Sequence, residues 1–267
     1  MIIGTLGPEG SFTEKAAKQW NDKAELRYYS DIMETVDALT GGEVDYSIVP
    51  IENSQDGSIT ITLDLLMEQE LQIVGEIIVQ IRHCLLSKGR SGDIKVIASH
   101  PSALAQCRKF IKKNFKNIEV RSTLSTSQAA KLACESKDIA AIASRESAHR
   151  YGLDILAEDI QDMNENYTRF IVIGKNIPPA TGNDKTSIIV YLEKNRPGAL
   201  YEILGEFADA GIDLTKIESR PTKKILGDYL FHIDLKGHIE EGIIRDTLGR
   251  IRSKIGIKIL GSYPAAR

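Results

Sequence analysis

Two hydrophobic periodicities alternate along the first two thirds of the chain. Short apolar runs typical of buried strands are followed by segments whose apolar positions recur every three to four residues, as in helices. This alternation predicts an α/β domain. The expected strands are residues 1–6, 44–51, 71–80, 94–99, 119–122, 139–144 and 168–175. The expected helices are residues 11–22, 32–40, 59–68, 101–113, 126–135 and 146–151.

Local signals support several of these helix starts. Ser11 and Glu14 have the spacing of a capping box. Pro101 suits the first turn of a helix, and Ser125 suits an N-cap position. These signals place helix N-termini directly after predicted strands.

A linker divides the chain near residues 176–184, where two prolines, a glycine and small polar residues cluster. Beyond it, the pattern predicts strands at 186–192, 214–220, 228–235 and 257–263, with helices at 197–210 and 239–253. The order is βαββαβ, which is the ferredoxin-like arrangement. The sequence therefore predicts an α/β protein with a small second domain.

The composition is that of an ordinary globular protein, with 42% hydrophobic residues, 27% charged residues and a net charge of −3. No basic stripe indicates a nucleic-acid partner. Neither a basic leader nor an apolar run of membrane-spanning length is evident, so we expect a cytoplasmic protein without a membrane partner. Cys84, Cys107 and Cys134 are scattered, which favours reduced thiols over a zinc site.

Polar clusters follow four predicted strands, and a fifth begins the strand at 168–175. The clusters are residues 7–12, 50–54, 99–101, 125–127 and 166–170. Crevices beyond the carboxyl ends of strands are where open α/β sheets bind ligands, and helix N-termini favour anions.

Each cluster also has an ordinary structural interpretation. Gly7 and Gly10 can simply form a tight turn, Ser11 and His100 can cap helices, and Arg169 can form a routine ion pair. The sequence has no nucleophile elbow, P-loop, dinucleotide-binding glycine motif or zinc-protease helix. The residues alone therefore predict a two-part α/β protein that binds a small anion.

Taken together and in order, these segments resemble the prephenate dehydratase family. The matching segments are Gly7-Pro8-Glu9-Gly10-Ser11-Phe12, Pro50-Ile51-Glu52-Asn53-Ser54 with Gly57, His100-Pro101 with Gln106-Cys107, Ser125-Thr126-Ser127 with Ala129-Ala130, Ala140-Ala141-Ile142-Ala143-Ser144, and Asn166 with Thr168-Arg169-Phe170. Gly198-Ala199-Leu200 and Glu218-Ser219-Arg220-Pro221 look like the two phenylalanine-site motifs of the ACT domain of that family. The resemblance covers essentially the whole chain.

The resemblance implies decarboxylating dehydration of prephenate to phenylpyruvate in phenylalanine biosynthesis, without a metal or cofactor. It implies a catalytic domain over 1–177 whose two lobes, 1–79 with 158–177 and 80–157, resemble periplasmic binding proteins. An ACT regulatory domain would follow over 186–263. The family is built from dimers, often as tetramers, and binds L-phenylalanine between ACT domains as an allosteric inhibitor.

Two positions depart from the family pattern. Ser102 stands where glutamine often follows His-Pro, and Leu124 stands where an acidic residue often precedes Ser-Thr-Ser. We leave both outside the predicted site.

The expected catalytic residues begin with Thr168, which would donate a hydrogen bond or proton to the leaving hydroxyl of prephenate. Glu52 would either assist as a protonated acid or hold loop amides in a structural role. Asn53, Ser99 and Gln106 would orient substrate oxygens. The expected substrate-binding residues are Ser54, His100, Thr126, Ser127, Arg169 and Phe170. Among these, Thr126 and Ser127 would bind a carboxylate, with positive charge from Arg169.

The expected phenylalanine site comprises Gly198, Ala199, Leu200, Glu218, Ser219, Arg220 and Pro221. Gly198 would let the backbone approach the amino-acid ligand closely. The ordinary interpretation is that Pro197-Gly198 only starts a helix and Arg220-Pro221 only ends a strand.

Three alternatives compete with this function. A two-lobed α/β cleft can serve a solute-binding or effector module without catalysis. An arogenate dehydratase would act on the amino analogue of prephenate, and the sequence does not decide between the two substrates. Fusion to a chorismate mutase or prephenate dehydrogenase is not expected, since the chain starts directly at the catalytic lobe.

Overall fold

The computed structural model describes residues 1–192, 196–222 and 228–266. Strands β1 to β11 are Ile2–Leu6, Glu25–Tyr29, Tyr46–Asn53, Gly57–Ser58, Gln72–Gln80, Cys84–Ser87, Val96–Ser99, Glu119–Ser122, Ile139–Ala143, Asp154–Ala157 and Tyr167–Gly174. Helices α1 to α7 are Phe12–Trp20, Ile32–Thr40, Thr60–Glu68, Pro101–Gln106, Arg108–Asn114, Thr126–Ala133 and Arg145–Tyr151. Strands β12 to β15 are Asp184–Tyr191, Leu214–Pro221, Tyr229–Lys236 and Gly256–Pro264, and helices α8 and α9 are Ala199–Asp209 and Gly242–Arg252.

The first sheet has the strand order β2-β1-β3-β11-β5, with β4 paired to β3 off that path. β1 runs parallel to both β2 and β3, so their carboxyl ends share one edge. The predicted cap is present at the start of α1, where Ser11 Oγ accepts the backbone N–H of Glu14 at 3.1 Å. Asp31 caps α2 in the same way. Both helix N-termini therefore follow strands that end at this edge.

The second sheet has the order β10-β6-β9-β7-β8, in which β7 is parallel to β8 and β9. Small side chains fill the contact between α6 and this sheet, including Ala129, Ala130 and Ala133 on the helix and Ala141 and Ala143 on β9. All five are fully buried. Because alanine has no atoms beyond Cβ, this pairing lets the helix lie close to the strands.

The C-terminal sheet is antiparallel with the order β13-β14-β12-β15. Two helices, α8 and α9, cover it, and the core between them includes Val190, Phe207, Ile233 and Leu248. The element order is βαββαβ, as the sequence predicts. The predicted class is therefore confirmed: an α/β part with two sheets, followed by a ferredoxin-like domain.

By compactness the chain divides into two units, residues 1–63 with 77–170, and residues 64–76 with 171–267. This division differs from the expected boundary near residue 177, because residues 64–76 join the C-terminal unit. Lys185 Nζ forms an ion pair with Glu76 at 2.8 Å, and Lys258 Nζ donates to the carbonyl of Gln69 at 2.6 Å. These side chains attach the segment to the C-terminal sheet.

Four strands were not expected from the sequence: β2, β4, β6 and β10. The helix expected at 101–113 is also broken at Cys107 into α4 and α5. Asp162 causes this break, since its backbone N–H donates to the carbonyl of Gln106 at 2.6 Å and its carboxylate accepts the N–H of Lys109 at 3.1 Å. A cap supplied from so far along the chain leaves no local pattern in the sequence.

Two general properties hold for the part of the chain that the structure describes. None of its helices has the length and apolar character needed to cross a bilayer. Within the same residues, no group of three or more His, Cys, Asp or Glu side chains could hold a metal ion.

Candidate active site

A cavity of about 500 Å³ lies within the first compact unit. Its walls include the capping residues of four helices, Ser11 of α1, Asp31 of α2, His100 of α4 and Ser125 of α6. Among the described residues that line it, none is a lysine or an arginine. Because helix N-termini carry partial positive charge and unpaired N–H groups, they are the principal feature of this wall that attracts anions.

Thr168 lies in the cavity wall beside Asn53. Asn53 Nδ2 lies 2.9 Å from Thr168 Oγ1 and donates to it. The alternation of β11 places Thr168 and Phe170 on the cavity side, while Tyr167 and Arg169 are absent from the lining. Because Thr168 Oγ1 accepts a hydrogen bond from Asn53, the hydroxyl hydrogen of Thr168 points away from Asn53.

Asn53 begins a chain of directed hydrogen bonds. Its Oδ1 accepts the backbone N–H groups of Gln55 and Asp56 at 2.9 and 3.0 Å, so its amide nitrogen must point the other way. That nitrogen donates to Asn166 Oδ1 at 2.9 Å. Asn166 Nδ2 then donates to Gln106 Oε1 at 2.8 Å. Two backbone amides thus orient three side-chain amides.

The side-chain amide of Gln106 also contacts two further residues. Its Nε2 donates to Asp56 Oδ2 at 3.1 Å, and His83 Nε2 lies 3.0 Å from its Oε1. His83 and Asp56 were not among the expected site residues, although both line the cavity. A lone histidine between two strands carries no sequence signal of such a contact.

Asn166 was also outside the expected site, although its segment was recognised. It precedes β11 and is fully buried. The period of two along a strand places Asn166, Thr168 and Phe170 on one side, and this alternation was the signal that could have identified it.

Apolar side chains form the rest of the wall and include Phe12, Ile61, Ile81 and Phe170. Ile81 and Phe170 are almost fully buried, so their positions are set by packing. Such a surface suits an unsaturated six-membered ring and keeps water from part of the cavity.

The N-terminus of α6 lies where the sequence predicts a carboxylate subsite. Thr126 lines the cavity, and Ser125 Oγ caps the helix by accepting the N–H of Gln128 at 3.0 Å. Ser127 is fully buried, and its Oγ has no hydrogen-bond partner. A buried hydroxyl without a partner is costly and is commonly satisfied by a ligand or water.

Ser127 and four further expected residues lie outside the cavity lining. Ser99 is fully buried and its Oγ donates to the carbonyl of Ile142 at 2.5 Å. Ser54 Oγ accepts the backbone N–H of Tyr167 at 3.0 Å, which holds the start of β11 against Asn53. These contacts give Ser99 and Ser54 structural tasks in addition to the roles expected for them.

Glu52 and Arg169, the other two, face each other. Arg169 Nη1 lies 3.7 Å from Glu52 Oε2, and the glutamate side chain is 37% exposed. The carboxylate of Glu52 is thus directed at Arg169 and is partly open to solvent.

Ser102 and Leu124, the two departures from the family pattern, both line the cavity. Leu124 is 87% exposed. Both residues therefore contribute to the surface of this cavity.

Burial lowers the pKa of both histidines in the cavity wall. For His83, the hydrogen bond to Gln106 Oε1 and the charge of Asp56 oppose this effect on the pKa. For His100, only the charge of Asp56 opposes the lowering of the pKa. His100 Nδ1 also accepts the backbone N–H of Ser102 at 3.3 Å, which requires that nitrogen to be unprotonated. Near neutral pH both imidazoles are therefore expected to be uncharged.

The expected phenylalanine motifs lie at defined positions in the C-terminal unit. Gly198 has a φ of 86° and directly precedes α8. Arg220 on β13 forms an ion pair with Asp64 at 2.8 Å, and both side chains are mostly buried. Glu218 pairs with Lys216 at 3.3 Å. The charged residues of the second motif thus interact with other side chains of the same unit.

Comparisons with known proteins match this chain to one family over nearly its whole length. The prephenate dehydratase family model matches residues 3–178, and the ACT domain model matches residues 186–252. A prephenate dehydratase of Methanocaldococcus jannaschii is 42% identical, covering 98% of this chain and 97% of its own.

Two solved structures are also similar. The crystal structure of prephenate dehydratase in complex with L-Phe from Arthrobacter aurescens has a TM-score of 0.91 and 37% identity, covering 99% of this chain and 90% of the other. A structure of GqqA, described as a novel type of quorum quenching acylase, has a TM-score of 0.89 and 30% identity over 99% and 98% of the two chains. The match of nearly the whole chain to a named relative and to two adjacent family models shows that this protein belongs to the prephenate dehydratase family and carries a C-terminal ACT domain.

Proposed function

We propose that this chain converts prephenate to phenylpyruvate, carbon dioxide and water, and that L-phenylalanine bound to its ACT domain inhibits the reaction. The hydrogen bond from Asn53 to Thr168 is the observation that carries the proposal. It leaves the threonine hydroxyl to act as a donor inside a cavity suited to anions.

The leaving hydroxyl of prephenate requires a donor. As the C–O bond breaks, the departing oxygen gains negative charge and must acquire a proton. Thr168 donates a hydrogen bond to it, and the bond that Thr168 accepts from Asn53 strengthens that donation because linked hydrogen bonds polarise one another. The proton lost through Thr168 is restored from solvent.

The side-chain carboxylate of prephenate binds at the N-terminus of α6. Thr126 and the buried hydroxyl of Ser127 supply donors there, together with the first backbone N–H groups of the helix. Arg169 contributes charge only from behind the wall, since it pairs with Glu52. Helix N-termini therefore replace the basic side chain that the sequence suggested for this subsite.

The ring carboxylate leaves as carbon dioxide. Its electrons enter the ring as the hydroxyl departs, and aromatisation provides the driving force. Loss of carbon dioxide is favoured where a carboxylate is stripped of water, and Phe12, Ile81 and Phe170 provide such a surface. The cavity wall thus combines donors for the departing oxygen with an apolar surface for the ring.

The geometry favours dehydration over acyl hydrolysis. An acylase of the usual type needs a hydroxyl or thiol activated by a base. Across the described residues, no histidine ring nitrogen forms a hydrogen bond with a Ser, Thr or Cys side chain. Arogenate is the less favoured substrate, because the matching family model and the relative from Methanocaldococcus jannaschii carry the name of the prephenate enzyme.

The decisive measurement is phenylpyruvate formation from prephenate, followed by its absorbance in alkali, with arogenate and an acylated amine as parallel substrates. We expect turnover of prephenate with a kcat/KM at least about tenfold above that for arogenate. A folded sample that releases no phenylpyruvate would contradict the proposal and favour a binding module. Preference for arogenate would change the substrate and leave the reaction type unchanged.

For regulation, we propose that L-phenylalanine binds near Gly198, Ala199 and Leu200, with Glu218 to Pro221 of β13. Gly198 at the start of α8 has nothing within 4 Å of its missing Cβ, so ligand can approach the backbone there. We further propose a dimer or dimer of dimers in which phenylalanine binds between ACT domains.

Calorimetry with L-phenylalanine and light scattering would test this regulatory part. We expect saturable binding and a mass of at least two chains. Gly198→Trp should abolish phenylalanine binding by filling the space, with turnover retained. Unchanged binding by that variant would place the phenylalanine site elsewhere.

A further inference from the structure

His83 is a buried histidine in the cavity wall without an assigned task. Its side chain makes an edge-on contact with the ring of Phe12, with centroids 5.8 Å apart. Its backbone is held on both sides, since its N–H donates to Gln161 Oε1 at 2.9 Å and its carbonyl accepts the N–H of Ile160 at 3.0 Å. The imidazole is therefore rigidly presented to Gln106.

The hydrogen-bond chain determines which ring nitrogen carries the proton. Gln106 Oε1 already accepts from Asn166, whose own orientation follows from Asn53. An amide oxygen cannot donate, so His83 Nε2 at 3.0 Å must be the donor. The opposite orientation of Gln106 would turn its oxygen toward the carboxylate of Asp56, where its Nε2 now donates. Of the two neutral tautomers, only the Nε2–H form satisfies this set of contacts.

The other ring nitrogen agrees with that assignment. His83 Nδ1 is buried and has no hydrogen-bond partner. Either an N–H or a lone pair at Nδ1 would be buried without a partner, and both carry a cost. A proton on Nδ1 in addition to the one on Nε2 would also make the ring a buried cation, which costs more. The unpartnered nitrogen therefore suits the unprotonated position.

We propose that His83 is a positioning residue that locks the amide of Gln106, so that Gln106 presents N–H rather than C=O to the substrate. This inference rests on the proposed function. With two donors on its oxygen, Gln106 cannot rotate by half a turn without losing both. One hydrogen of Gln106 Nε2 is directed at Asp56 and the other serves the substrate. A dianionic substrate needs donors, and a flipped amide would present an oxygen to an anion.

A double-mutant cycle tests whether His83 acts through Gln106. In the full-length protein, His83→Leu should lower kcat/KM about 10- to 100-fold, as expected for a misplaced active-site group. In a Gln106→Ala background, His83→Leu should lower kcat/KM less than about threefold, because the amide that His83 positions is absent. His83→Gln, whose amide can donate to Gln106, should recover at least about tenfold over His83→Leu. Equal losses in both backgrounds would overturn the proposal.

Imidazole ¹⁵N spectra of the unaltered protein give a readout independent of turnover. We expect the neutral Nε2–H form of His83, identified by loss of its signals in His83→Gln. A protonated Nδ1 would overturn the inference even if His83→Leu fails to fold. The control His149→Leu replaces an exposed histidine on α7 and should leave turnover unchanged.

The proposed function and this inference fail in different ways. Absence of turnover by the unaltered chain would remove the reaction, and with it the role of His83 in that reaction. Normal turnover with additive losses in the cycle would leave the reaction intact and overturn only the positioning role.

Discussion

Asn53 Nδ2 donates to Thr168 Oγ1 across 2.9 Å, although the two residues are 115 positions apart in the chain. Asn53 ends β3, and Thr168 lies near the start of β11. The backbone of Tyr167 also exchanges hydrogen bonds with Ser54, which fixes the register between the two segments. The position of the Thr168 hydroxyl is therefore set by the end of β3 and the start of β11.

This contact predicts a large effect of changing Asn53. An aspartate cannot donate to Thr168 or to Asn166 and adds negative charge to a cavity for a dianion. We expect Asn53→Asp to lower kcat/KM about 100- to 1000-fold, the range for loss of one oriented donor. Steady-state kinetics would measure this loss, and Asn114→Asp, on the exposed side of α5, serves as the charge-matched control. A loss below tenfold would argue against the donor chain.

Thr168 should act through its hydroxyl rather than its methyl group. Thr168→Val keeps the shape and removes the donor, so we expect kcat to fall at least about 100-fold with little change in KM. Thr168→Ser keeps the donor and should remain within about tenfold of the unaltered chain. Equal losses in the two variants, or a change confined to KM, would assign Thr168 a packing or binding role.

The ion pair between Arg220 and Asp64 makes a prediction about inhibition. If the guanidinium of Arg220 binds the phenylalanine carboxylate, Asp64 competes for it at 2.8 Å. Asp64→Asn removes the competing charge and should lower the phenylalanine concentration for half inhibition about fivefold, within the usual range of coupling energies. Arg220→Ala should raise it. A higher phenylalanine concentration for half inhibition in Asp64→Asn would contradict this prediction. It would show that the ion pair with Asp64 holds Arg220 in position for binding.

Gly10 and Gly42 form a matched pair for measuring close packing. Both have positive φ, at 84° and 77°, so alanine at either position carries a backbone penalty of about 1 kcal/mol. A Cβ on Gly10 would also lie 3.0 Å from Ser147 Oγ and 3.1 Å from its Cα, whereas a Cβ on Gly42 meets nothing within 4 Å. Gly10→Ala should therefore lower the melting temperature clearly more than Gly42→Ala. Equal shifts would show that the loop at Gly10 adjusts freely.

Because His232 on β14 is buried, we expect the free energy of unfolding to depend on pH. Burial lowers its pKa to about 4, while the charges of Asp234 and Glu218 oppose that shift in pKa. Because the unfolded chain takes up the proton first, stability is complete above the unfolded pKa of about 6.5 and falls toward pH 4 by up to about 1.4 kcal/mol per pH unit. Denaturant unfolding should show a shallower decline for His232→Leu than for His149→Leu between pH 6.5 and 5. Identical slopes would contradict the shift.

Much of the fold follows from patterns along the chain. The capping box at Ser11 and the proline at Pro101 mark helix starts that the structure shows at Phe12 and Pro101. The strands β2, β6 and β10 were missed. The burial pattern of β2 and β10 includes no fully buried residue, so neither has a continuous apolar run of the kind that marks a buried strand.

Like the fold, the candidate site was predicted from the sequence only in part. The motifs placed Asn53, Gln106, Thr126 and Thr168 in one site, and the structure brings all four to a single cavity. His83 carries no motif and was missed. Its importance depends on a contact with Gln106 that only a folded chain creates.

The sequence by itself determined the α/β class, the ferredoxin-like second domain, the family and several of the polar groups in the cavity, because periodicity, capping and motif order are local properties. Only the tertiary structure decided how the amides point, which histidine orients Gln106, and that Arg169 faces Glu52. Those features depend on hydrogen bonds between segments that are far apart in the chain. Such bonds have directions and distances, and these become defined only when both segments are packed in place.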